Sequence, residues 1–505
     1  MNRLRIKRSG RPVAGRPGRW RRWALAGAAT VLLLASGCTA DGEPAGPPDD
    51  TPGAASTAPG AGTPVLGGPP ADTGNPFGAH WDWSRFDRFA PYLGKLTGSA
   101  TYHELTWCAV EPVPGRPDWS AVDRIARRSR ELGITLHLKI RTGVCWATGG
   151  SPRHPRGQAG KTESAMPRDL AAYQRFVRQV VSRYAAYGVR QYAVENEVNA
   201  AQYWAGTPED YERLVRAAAE AIHAADPAAR VVDSGISSVA YGFGIVDRLL
   251  RAGRPAEAVA AYQAYFQRRV GTRGRQIPPV TDPDELRRTL TVETNARNVA
   301  FLAATERLID SGVVQVRQVH FYEHPDGLPA LLDYLRAETP AGVPVEAWEV
   351  GQFWRDGDTD PTGRAEEMVK VVSLLVAGGV RQVMWLPLAY NPNNRAGAEV
   401  RYGLLDPDGA QRPAGAMFAA LVAAARDATV RPVAAKGLTG VAFERPGDTS
   451  LVVWSATGGT ATVPAVPGLR AGPVGDPPQP VTGPVPVDAA PVLLRTDRTA
   501  AALLG

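Results

Sequence analysis

The sequence predicts an α/β fold, a (β/α)8 TIM barrel followed by a small C-terminal β-sandwich domain. In residues 75–428, short apolar segments alternate with amphipathic helical segments, which is the pattern of parallel strands joined by helices. Eight such repeats in about 350 residues fit a barrel of this type. In residues 429–505 the helical period ends. Short β-like segments divided by Gly and Pro predict a sandwich there, with a structural role.

Eight apolar segments are predicted as the barrel strands, and helical segments separate them. The strands are 76–81, 99–107, 134–141, 189–197, 229–237, 316–323, 343–350 and 380–388. The helical segments include 119–133, 168–188 and 207–227. Several helical segments end with a Gly just before the next strand, which is a frequent signal for a helix C-terminus. The interval between the fifth and sixth strands is the longest, and residues 251–290 within it are an insertion.

The N-terminus has the pattern of an export signal. Residues 1–22 are basic and polar, and the 15 residues 23–37 are apolar and uncharged. That apolar segment is short for a membrane-spanning helix, which needs ~20 residues, and is typical of a signal peptide. Residues 1–37 are therefore predicted to be a signal peptide.

The apolar segment ends in Leu34-Ala35-Ser36-Gly37-Cys38, which resembles a bacterial lipobox. In a lipobox the Cys is lipidated and becomes the mature N-terminus, so Cys38 is the predicted lipidation site. An ordinary secretory signal with an incidental Cys is the alternative. Residues 38–74 are rich in Gly and Pro and predict a tether. We therefore expect an exported protein, lipid-anchored to the outer face of the bacterial cell membrane, or secreted.

The net charge of +7 does not indicate a nucleic-acid partner. Residues 1–37 hold nine Arg and Lys residues and no acid, which leaves 48 basic against 50 acidic residues in the rest of the chain. The basic excess belongs to the leader, so nucleic acid is excluded as a partner on charge. No protein partner is inferred.

Two glutamates are the strongest candidates for chemistry. Glu197 ends the fourth predicted strand and Glu349 the seventh, and the functional residues of such barrels lie at the carboxyl ends of the strands. Strands four and seven lie across the barrel from each other, so the two carboxylates can converge on one substrate bond. Glycoside cleavage requires one protonated carboxyl and one ionised carboxylate. Asn196, next to Glu197, is able to hold a sugar hydroxyl.

These residues stand in motifs that resemble clan A of the glycoside hydrolases, which are retaining (β/α)8 enzymes. The matching segments are Asn196-Glu197, Trp348-Glu349-Val350-Gly351, Trp107-x-x-x-Glu111-Pro112, His320-x-Tyr322, Trp385, and Gly403-Leu404-Leu405-Asp406-x-x-Gly409 with Arg412-Pro413. An isolated Asn-Glu is a weak signal, but these motifs in this order are a strong one. With its sandwich, the chain is most similar to family 39 over roughly residues 75–500.

The resemblance implies roles for the matched residues. Glu197 would be the acid/base and Glu349 the nucleophile, and Asn196 would contact the sugar 2-hydroxyl. Tyr322 would hydrogen-bond to the nucleophile, and His320 is a further substrate-binding candidate. Trp385 would form the floor of the sugar subsite, and the weaker candidates for stacking against a sugar are His80, Trp81, Trp107, Trp146 and Trp204.

The chain departs from the clan pattern at three positions. Val198 follows Glu197 where much of the clan has Pro, and Glu195 precedes Asn196 where many members have Trp. The second strand lacks the Arg that usually supports the nucleophile. We expect His103 or Arg141 to take its place.

Other candidates have simpler interpretations. Glu195 and Glu346 lie earlier on the same strands as the catalytic pair and are expected to be structural. His320 and Tyr322 could also simply fill the barrel mouth, and most of the 12 Trp residues are expected to pack in the core or rim. The seven His residues show no metal-ligand spacing, so no metal and no cofactor is predicted.

Two cysteines remain after Cys38. Cys108 and Cys145 follow neighbouring strands two and three, and an even remainder in an exported protein favours a disulfide between them. Two separate buried thiols are the alternative.

The leading functional prediction is a retaining glycosidase that acts on an oligo- or polysaccharide outside the cell. A non-catalytic carbohydrate-binding lipoprotein on the same barrel is the alternative, because the strand-two Arg is missing and a fold does not guarantee a function. A transport-type solute receptor is disfavoured, since the sequence shows no pair of α/β lobes with a hinge.

Overall fold

The computed structural model describes residues 74–149, 163–271, 275–353, 360–389 and 403–505. The predicted signal peptide, the lipidation site Cys38 and the tether up to residue 73 lie outside the described residues. In the part of the chain that is described, no helix is both long enough and apolar enough to cross a membrane.

Eight parallel strands form the barrel sheet, in the order β5-β4-β3-β2-β1-β8-β7-β6. Isolated parallel bridges from Val232 to Val316 and from Ile236 to Val319 join the two ends of this order and close the sheet. The strands are β1 (Phe77–Ala79), β2 (Ala100–Thr106), β3 (Thr135–Arg141), β4 (Gln191–Val194), β5 (Arg230–Val232), β6 (Arg317–Phe321), β7 (Val345–Val350) and β8 (Val383–Trp385). All eight lie within the predicted segments, so the predicted TIM barrel is confirmed.

Helices connect the strands, and their ends follow from the local sequence. Thr207 and Asp210 form a reciprocal capping box at the start of the helix Pro208–Ala225, and Gly133, with a φ of 64° that suits a glycine, caps the C-terminus of the helix Ser120–Leu132. The helices are α1 (Phe86–Leu93), α2 (Trp107–Val110), α3 (Ser120–Leu132), α4 (Leu170–Tyr184), α5 (Pro208–Ala225), α6 (Ser238–Arg251), α7 (Pro255–Phe266), α8 (Pro283–Leu290), α9 (Glu293–Asp310), α10 (Leu328–Glu338), α11 (Pro361–Ala377) and α12 (Pro413–Ala425). The insertion after α6 contains α7 and α8.

The strands have two differently filled faces, because successive side chains of a strand point to opposite sides. Along β3, Leu136, Leu138 and Ile140 belong to the large core between the sheet and the helices. The alternating residues, which include the charged Lys139, face the inside of the barrel. A small apolar cluster fills part of that interior and consists of Ala100, Tyr102, Ala193, Val232, Val316, Trp348 and Met384. The rest of the interior is polar, and it leads to the carboxyl ends of the strands.

The C-terminal region is a β-sandwich, as predicted. Its larger sheet is antiparallel with the order β14-β13-β16-β11-β10-β9, and β12 pairs with β15 in a second sheet. Phe443 of β10 packs against Phe77 of β1 with ring centroids 5.9 Å apart, so the sandwich rests on the barrel. The elements are β9 (Thr429–Ala435), β10 (Leu438–Arg445), β11 (Asp448–Ser455), β12 (Ala461–Val463), β13 (Arg470–Pro473), β14 (Gln479–Pro480), β15 (Val485–Val487), β16 (Val492–Thr496) and α13 (Ala500–Leu504).

A disulfide joins Cys108 to Cys145, with the two Cα atoms 5.7 Å apart. Cys108 lies on the short α2 that follows β2, and Cys145 lies in the segment that follows β3. The bond therefore ties together the connections that leave two neighbouring strands at the carboxyl end of the barrel.

Loss of this bond is expected to destabilise the protein. The two cysteines are 37 positions apart in sequence. A crosslink that closes a loop of this length lowers the entropy of the unfolded chain and raises the free energy of unfolding by about 3–4 kcal/mol. Urea unfolding of wild type and of the Cys108→Ser/Cys145→Ser variant measures the difference in the free energy of unfolding. A difference below about 1 kcal/mol, or two free thiols in the unreduced wild type, would contradict this expectation.

Candidate active site

The two predicted catalytic glutamates lie together at the carboxyl ends of β4 and β7. One carboxylate oxygen of Glu197, one of Glu349 and a ring nitrogen of His320 all lie within 4.8 Å of one another. The exposed fractions of the two carboxylate side chains are 15% for Glu197 and 9% for Glu349, so both are partly accessible to solvent. The two groups are placed to act on one bond of a bound molecule.

The backbone after β4 adopts an uncommon conformation that carries Glu197 to this position. Glu195 has a φ of 69° and Glu197 a φ of 42°, both in the left-handed region. Each such residue other than glycine costs on the order of 1–3 kcal/mol, and strain of this kind concentrates at functional sites. The amide of Glu197 donates to the carbonyl of Ser234 at 3.2 Å, so the segment after β5 holds the turn in place.

The other two glutamates of these strands are structural. Glu195 is fully buried, accepts from the amide of Thr142 at 2.7 Å and pairs with Arg141 at 3.6 Å. Burial raises the pKa of Glu195. Glu346 is 1% exposed and accepts from Gln191 and from the indole of Trp348, so it belongs to the interior hydrogen bonding.

Glu349 is surrounded by hydrogen-bond donors. Its Oε1 accepts from Lys139 Nζ at 2.7 Å and from the Tyr102 hydroxyl at 3.0 Å, and its Oε2 accepts from the Tyr322 hydroxyl at 3.1 Å. Burial, followed by the negative charges of Glu349 and Glu104, raises the pKa of Tyr102 well above its usual range. Tyr102 therefore keeps its proton and donates it. Donors on both oxygens and an adjacent ammonium favour the ionised form of Glu349.

His320 contacts both Glu197 and Glu349 through one nitrogen. Its Nδ1 lies 2.9 Å from Glu197 Oε1 and 3.4 Å from Glu349 Oε2, and its Nε2 lies 3.1 Å from Gln318 Oε1. Gln318 donates through its Nε2 to the Asp233 carbonyl at 2.8 Å, which leaves its Oε1 as an acceptor. His320 therefore carries a proton on Nε2. In the neutral imidazole Nδ1 is then an acceptor, able to accept from a protonated Glu197.

A glycine allows this arrangement. A Cβ atom at Gly235 would lie 2.2 Å from His320 Nε2 and 2.6 Å from Gln318 Oε1, and the φ of Gly235 is +69°. The amides of Gly235 and Gln318 both donate to the carboxylate of Asp233 at 2.7 Å. The end of β5 thus fixes the Gln318–His320 pair against Glu197 and Glu349.

The expectation that His103 or Arg141 supports the nucleophile is wrong. By strand alternation His103 lies on the opposite face of β2 from Tyr102, and burial lowers the pKa of His103 to about 4, so this imidazole is neutral at physiological pH. Arg141 pairs instead with Glu104 at 3.3 Å and with Glu195 at 3.6 Å. Lys139 of β3 supplies the cation, and sequence reasoning missed it. The signal was the alternation of β3, which places polar residues at 137, 139 and 141 on the barrel side.

The predicted aromatic platforms are mostly buried. Trp107 is 1% exposed, donates to Glu111 at 2.7 Å and stacks on Phe176, so it packs in the core and does not face a ligand. Trp81 and Trp204 are buried as well, and so is Trp385 at the end of β8.

The remaining ring candidates, His80 and Trp146, are half-buried. His80 stacks on Tyr102 with ring centroids 4.1 Å apart. Burial lowers the pKa of His80, so a neutral ring stacks on Tyr102, which donates to Glu349. Trp146 donates through its indole to the carbonyl of Glu111.

Asn196 contacts the site through its amide oxygen. Asn196 Oδ1 accepts from Lys139 Nζ at 2.7 Å, and the side chain is almost fully buried next to Glu197.

The three groups Glu197, His320 and Glu349 could together hold a cation. The ammonium of Lys139 already places a positive charge against Glu349, so the arrangement suits proton transfer between the two carboxyl groups and a bound molecule.

Comparison with known proteins identifies the fold. No protein-family model and no curated protein matches the sequence. Among solved structures, a family 39 glycoside hydrolase from the gut symbiont Bacteroides cellulosilyticus WH2 is 15% identical with a TM-score of 0.56, over 85% of this chain and 82% of that one. A family 39 β-xylosidase from Caulobacter crescentus is 16% identical with a TM-score of 0.54, over 86% and 98% of the two chains.

A third solved structure, a family 51 α-L-arabinofuranosidase from Bifidobacterium longum, is 11% identical with a TM-score of 0.52, over 86% of this chain and 97% of that one. At these identities the likeness establishes the fold. The chain has the barrel-and-sandwich fold of these glycoside hydrolases, and the similarity to family 39 stated from the sequence motifs extends to the structure.

Asp233, which supports the Gln318–His320 pair, is expected to make stability depend on pH. Burial raises the pKa of Asp233 to about 6, whereas in an unfolded chain it is about 4. The folded protein holds this proton more tightly, so the contribution of Asp233 to the free energy of unfolding is present below pH 4. It is lost as the pH rises to 6, by up to about 3 kcal/mol.

The Asp233→Asn variant, which stays neutral, isolates this contribution. In urea unfolding, the stability of the variant minus that of the wild type should be larger at pH 7 than at pH 4. A difference that is the same at both pH values would contradict the assignment.

Proposed function

We propose that this protein is a retaining glycoside hydrolase that cleaves O-glycosidic bonds by double displacement. The observation that carries the proposal is the pair of Glu197 and Glu349 oxygens within 4.8 Å at the carboxyl end of the barrel. The two carboxyl groups are ~5–5.5 Å apart in retaining glycosidases and ~6.5–9.5 Å apart in inverting ones, and the short separation supports retention. The fold shared with family 39 and family 51 enzymes supports a sugar substrate.

In the first step, Glu349 attacks the anomeric carbon while Glu197 gives its proton to the leaving glycosidic oxygen. The bond from the anomeric carbon to that oxygen breaks, and a glycosyl ester on Glu349 forms. In the second step, Glu197 is a carboxylate and takes a proton from water, whose oxygen attacks the same carbon. The ester bond breaks, Glu349 is ionised again, and the sugar leaves with its original configuration.

The surroundings of the two carboxyl groups support this division of roles. Glu349 accepts hydrogen bonds from Lys139, Tyr102 and Tyr322, which stabilise the negative charge that a nucleophile needs. Glu197 faces the accepting Nδ1 of His320, which suits a group that holds a proton before the reaction. Asn196, beside Glu197, supplies an amide for the sugar hydroxyl next to the reacting carbon.

Separate loss of the two carboxyl groups should affect turnover differently. Glu349→Ala is expected to abolish turnover of every aryl glycoside in a substrate panel. Glu197→Ala should retain activity on glycosides with good leaving groups, and azide should restore it by attacking the glycosyl enzyme and forming a glycosyl azide of retained configuration. Steady-state kinetics and product NMR measure both effects. The exposed Glu257→Gln is the matched control and should behave as wild type.

Two outcomes would contradict this mechanism. Products of inverted configuration would exclude the glycosyl enzyme. A wild-type protein that binds oligosaccharides in calorimetry but turns over no glycoside in the panel would be a carbohydrate-binding protein on this barrel, which is the alternative considered from the sequence.

We also propose that the protein is exported and anchored by a lipid on Cys38, so that it acts on extracellular or cell-surface glycans. The support is the basic and apolar pattern of residues 1–37, the Leu34–Cys38 motif and the Gly- and Pro-rich segment that follows. A diacylated Cys supplies the two chains that stable membrane attachment needs.

Removal of the lipidated residue should release the protein. Cys38→Ser is expected to move the protein from the membrane fraction to the soluble fraction and to remove metabolic labelling by a fatty acid. Ser36→Ala, which keeps a small residue in the motif, is the control and should stay in the membrane. Persistent membrane attachment of Cys38→Ser would refute the lipid anchor.

A further inference from the structure

Lys139 is a fully buried cation inside the barrel that takes no part in the two chemical steps. It lies on β3, and its Nζ is 2.7 Å from Glu349 Oε1 and 2.7 Å from Asn196 Oδ1. One ammonium group therefore joins the nucleophile to the amide that stands beside the acid/base.

The three N–H groups of this ammonium can be assigned individually. Two donate to the oxygens of Glu349 and Asn196. His320 Nε2 lies 3.4 Å away, but it carries its own proton, which it gives to Gln318. The third N–H of Lys139 faces the ring of Tyr102, whose centroid is 4.4 Å from Nζ, as a cation–π contact. The lysine is thus held in one orientation by groups from β2, β4 and β7.

The bond to Asn196 decides which end of that amide meets a ligand. An amide has an accepting oxygen and a donating nitrogen, and the two ends are interchangeable unless a partner fixes them. Lys139 can only donate, so it binds Asn196 Oδ1 and turns Nδ2 away from itself. Asn196 then presents a donor to a hydroxyl oxygen of the sugar.

We propose that Lys139 is a positioning residue that couples recognition of the sugar 2-hydroxyl to the nucleophile. It holds the Glu349 carboxylate in place through a hydrogen bond and directs Asn196 Nδ2 toward the hydroxyl next to the reacting carbon. Discrimination for a 2-hydroxyl therefore depends on Lys139, although this side chain does not touch the sugar. The proposal rests on the proposed glycosidase function.

A second buried cation provides a structural comparison. Arg317, at the first residue of β6, is fully buried and binds Glu306 at 3.2 Å and the carbonyl of Glu338 at 2.6 Å. These partners lie at the amino end of the strands, away from Glu197 and Glu349. Loss of Arg317 removes a buried charge pair away from the site. It therefore shows how a general destabilisation of the barrel affects the measured activity.

The experiment compares an aryl glycoside with its 2-deoxy analogue in wild type, Lys139→Met, Asn196→Ala, the double variant and Arg317→Met. The quantity measured is the ratio of kcat/KM for the two substrates. Hydrogen bonds to the 2-hydroxyl strengthen in the transition state, so Asn196→Ala should lower the ratio by at least about 10-fold. Lys139→Met should lower it by the same factor, the double variant should lower it no further, and Arg317→Met should leave it unchanged.

An unchanged ratio in Lys139→Met, with only a lower kcat, would overturn the proposal, and so would an equal fall in Arg317→Met. If Lys139→Met does not fold, Lys139→Gln replaces it, because the glutamine amide can accept as well as donate and so no longer fixes which end of the Asn196 amide faces the ligand. Its ratio should also fall, and an unchanged ratio overturns the proposal. Absence of turnover by the wild type would instead reject the proposed glycosidase function, so the two failures are distinguishable.

Discussion

The ion pair between Lys139 and Glu349 is the constraint on which the rest of the site depends. Lys139 is fully buried and the Glu349 side chain is 9% exposed, so both charges are removed from most of their water. Such a pair is stable only when its geometry is good and the remaining hydrogen-bonding groups are satisfied, because desolvation of each ion costs several kcal/mol. The barrel interior meets this condition with Tyr102 on the carboxylate and Asn196 on the ammonium.

The strand alternation of β3 explains why the barrel can hold so many charges. Its interior residues are paired at successive levels toward the carboxyl end. His137 stacks on Trp348 at 4.9 Å, Lys139 binds Glu349, and Arg141 pairs with Glu104 and Glu195. The partners of His137 and Lys139 come from β7, across the barrel, whereas those of Arg141 come from β2 and from the segment after β4. The positive charges of β3 are thus neutralised by β7 across the barrel and by carboxylates on the two sides of β3.

The fold and the meeting of Glu197 with Glu349 at one end of the barrel could be predicted from the sequence, because both follow from local patterns. The eight apolar segments carry the strand period, and Glu197 and Glu349 stand where two of them end. The residues that donate hydrogen bonds to Glu349 could not be predicted in the same way. Which residue reaches Glu349 depends on the stagger between β2, β3 and β7, a property of the closed barrel, and Lys139 was therefore missed in favour of His103 and Arg141.

The packing of Trp107 could not be predicted from its position for a related reason. Trp107 follows β2 directly, as a platform would, but the short α2 that begins there turns its indole toward Glu111 and Phe176. Strand position alone does not distinguish a side chain that faces Glu197 and Glu349 from one that packs in the core. The carboxylates were easier to place because an ionised group is rarely fully buried without a partner.

The two carboxyl groups have different hydrogen-bonding surroundings, although they lie close together. β2, β3 and β6 direct the donors Tyr102, Lys139 and Tyr322 at Glu349. The end of β5 acts on Glu197 indirectly. It fixes Gln318, and Gln318 sets the protonated nitrogen of His320. Three donors therefore converge on the Glu349 carboxylate, whereas the Glu197 carboxyl group contacts the imidazole of His320.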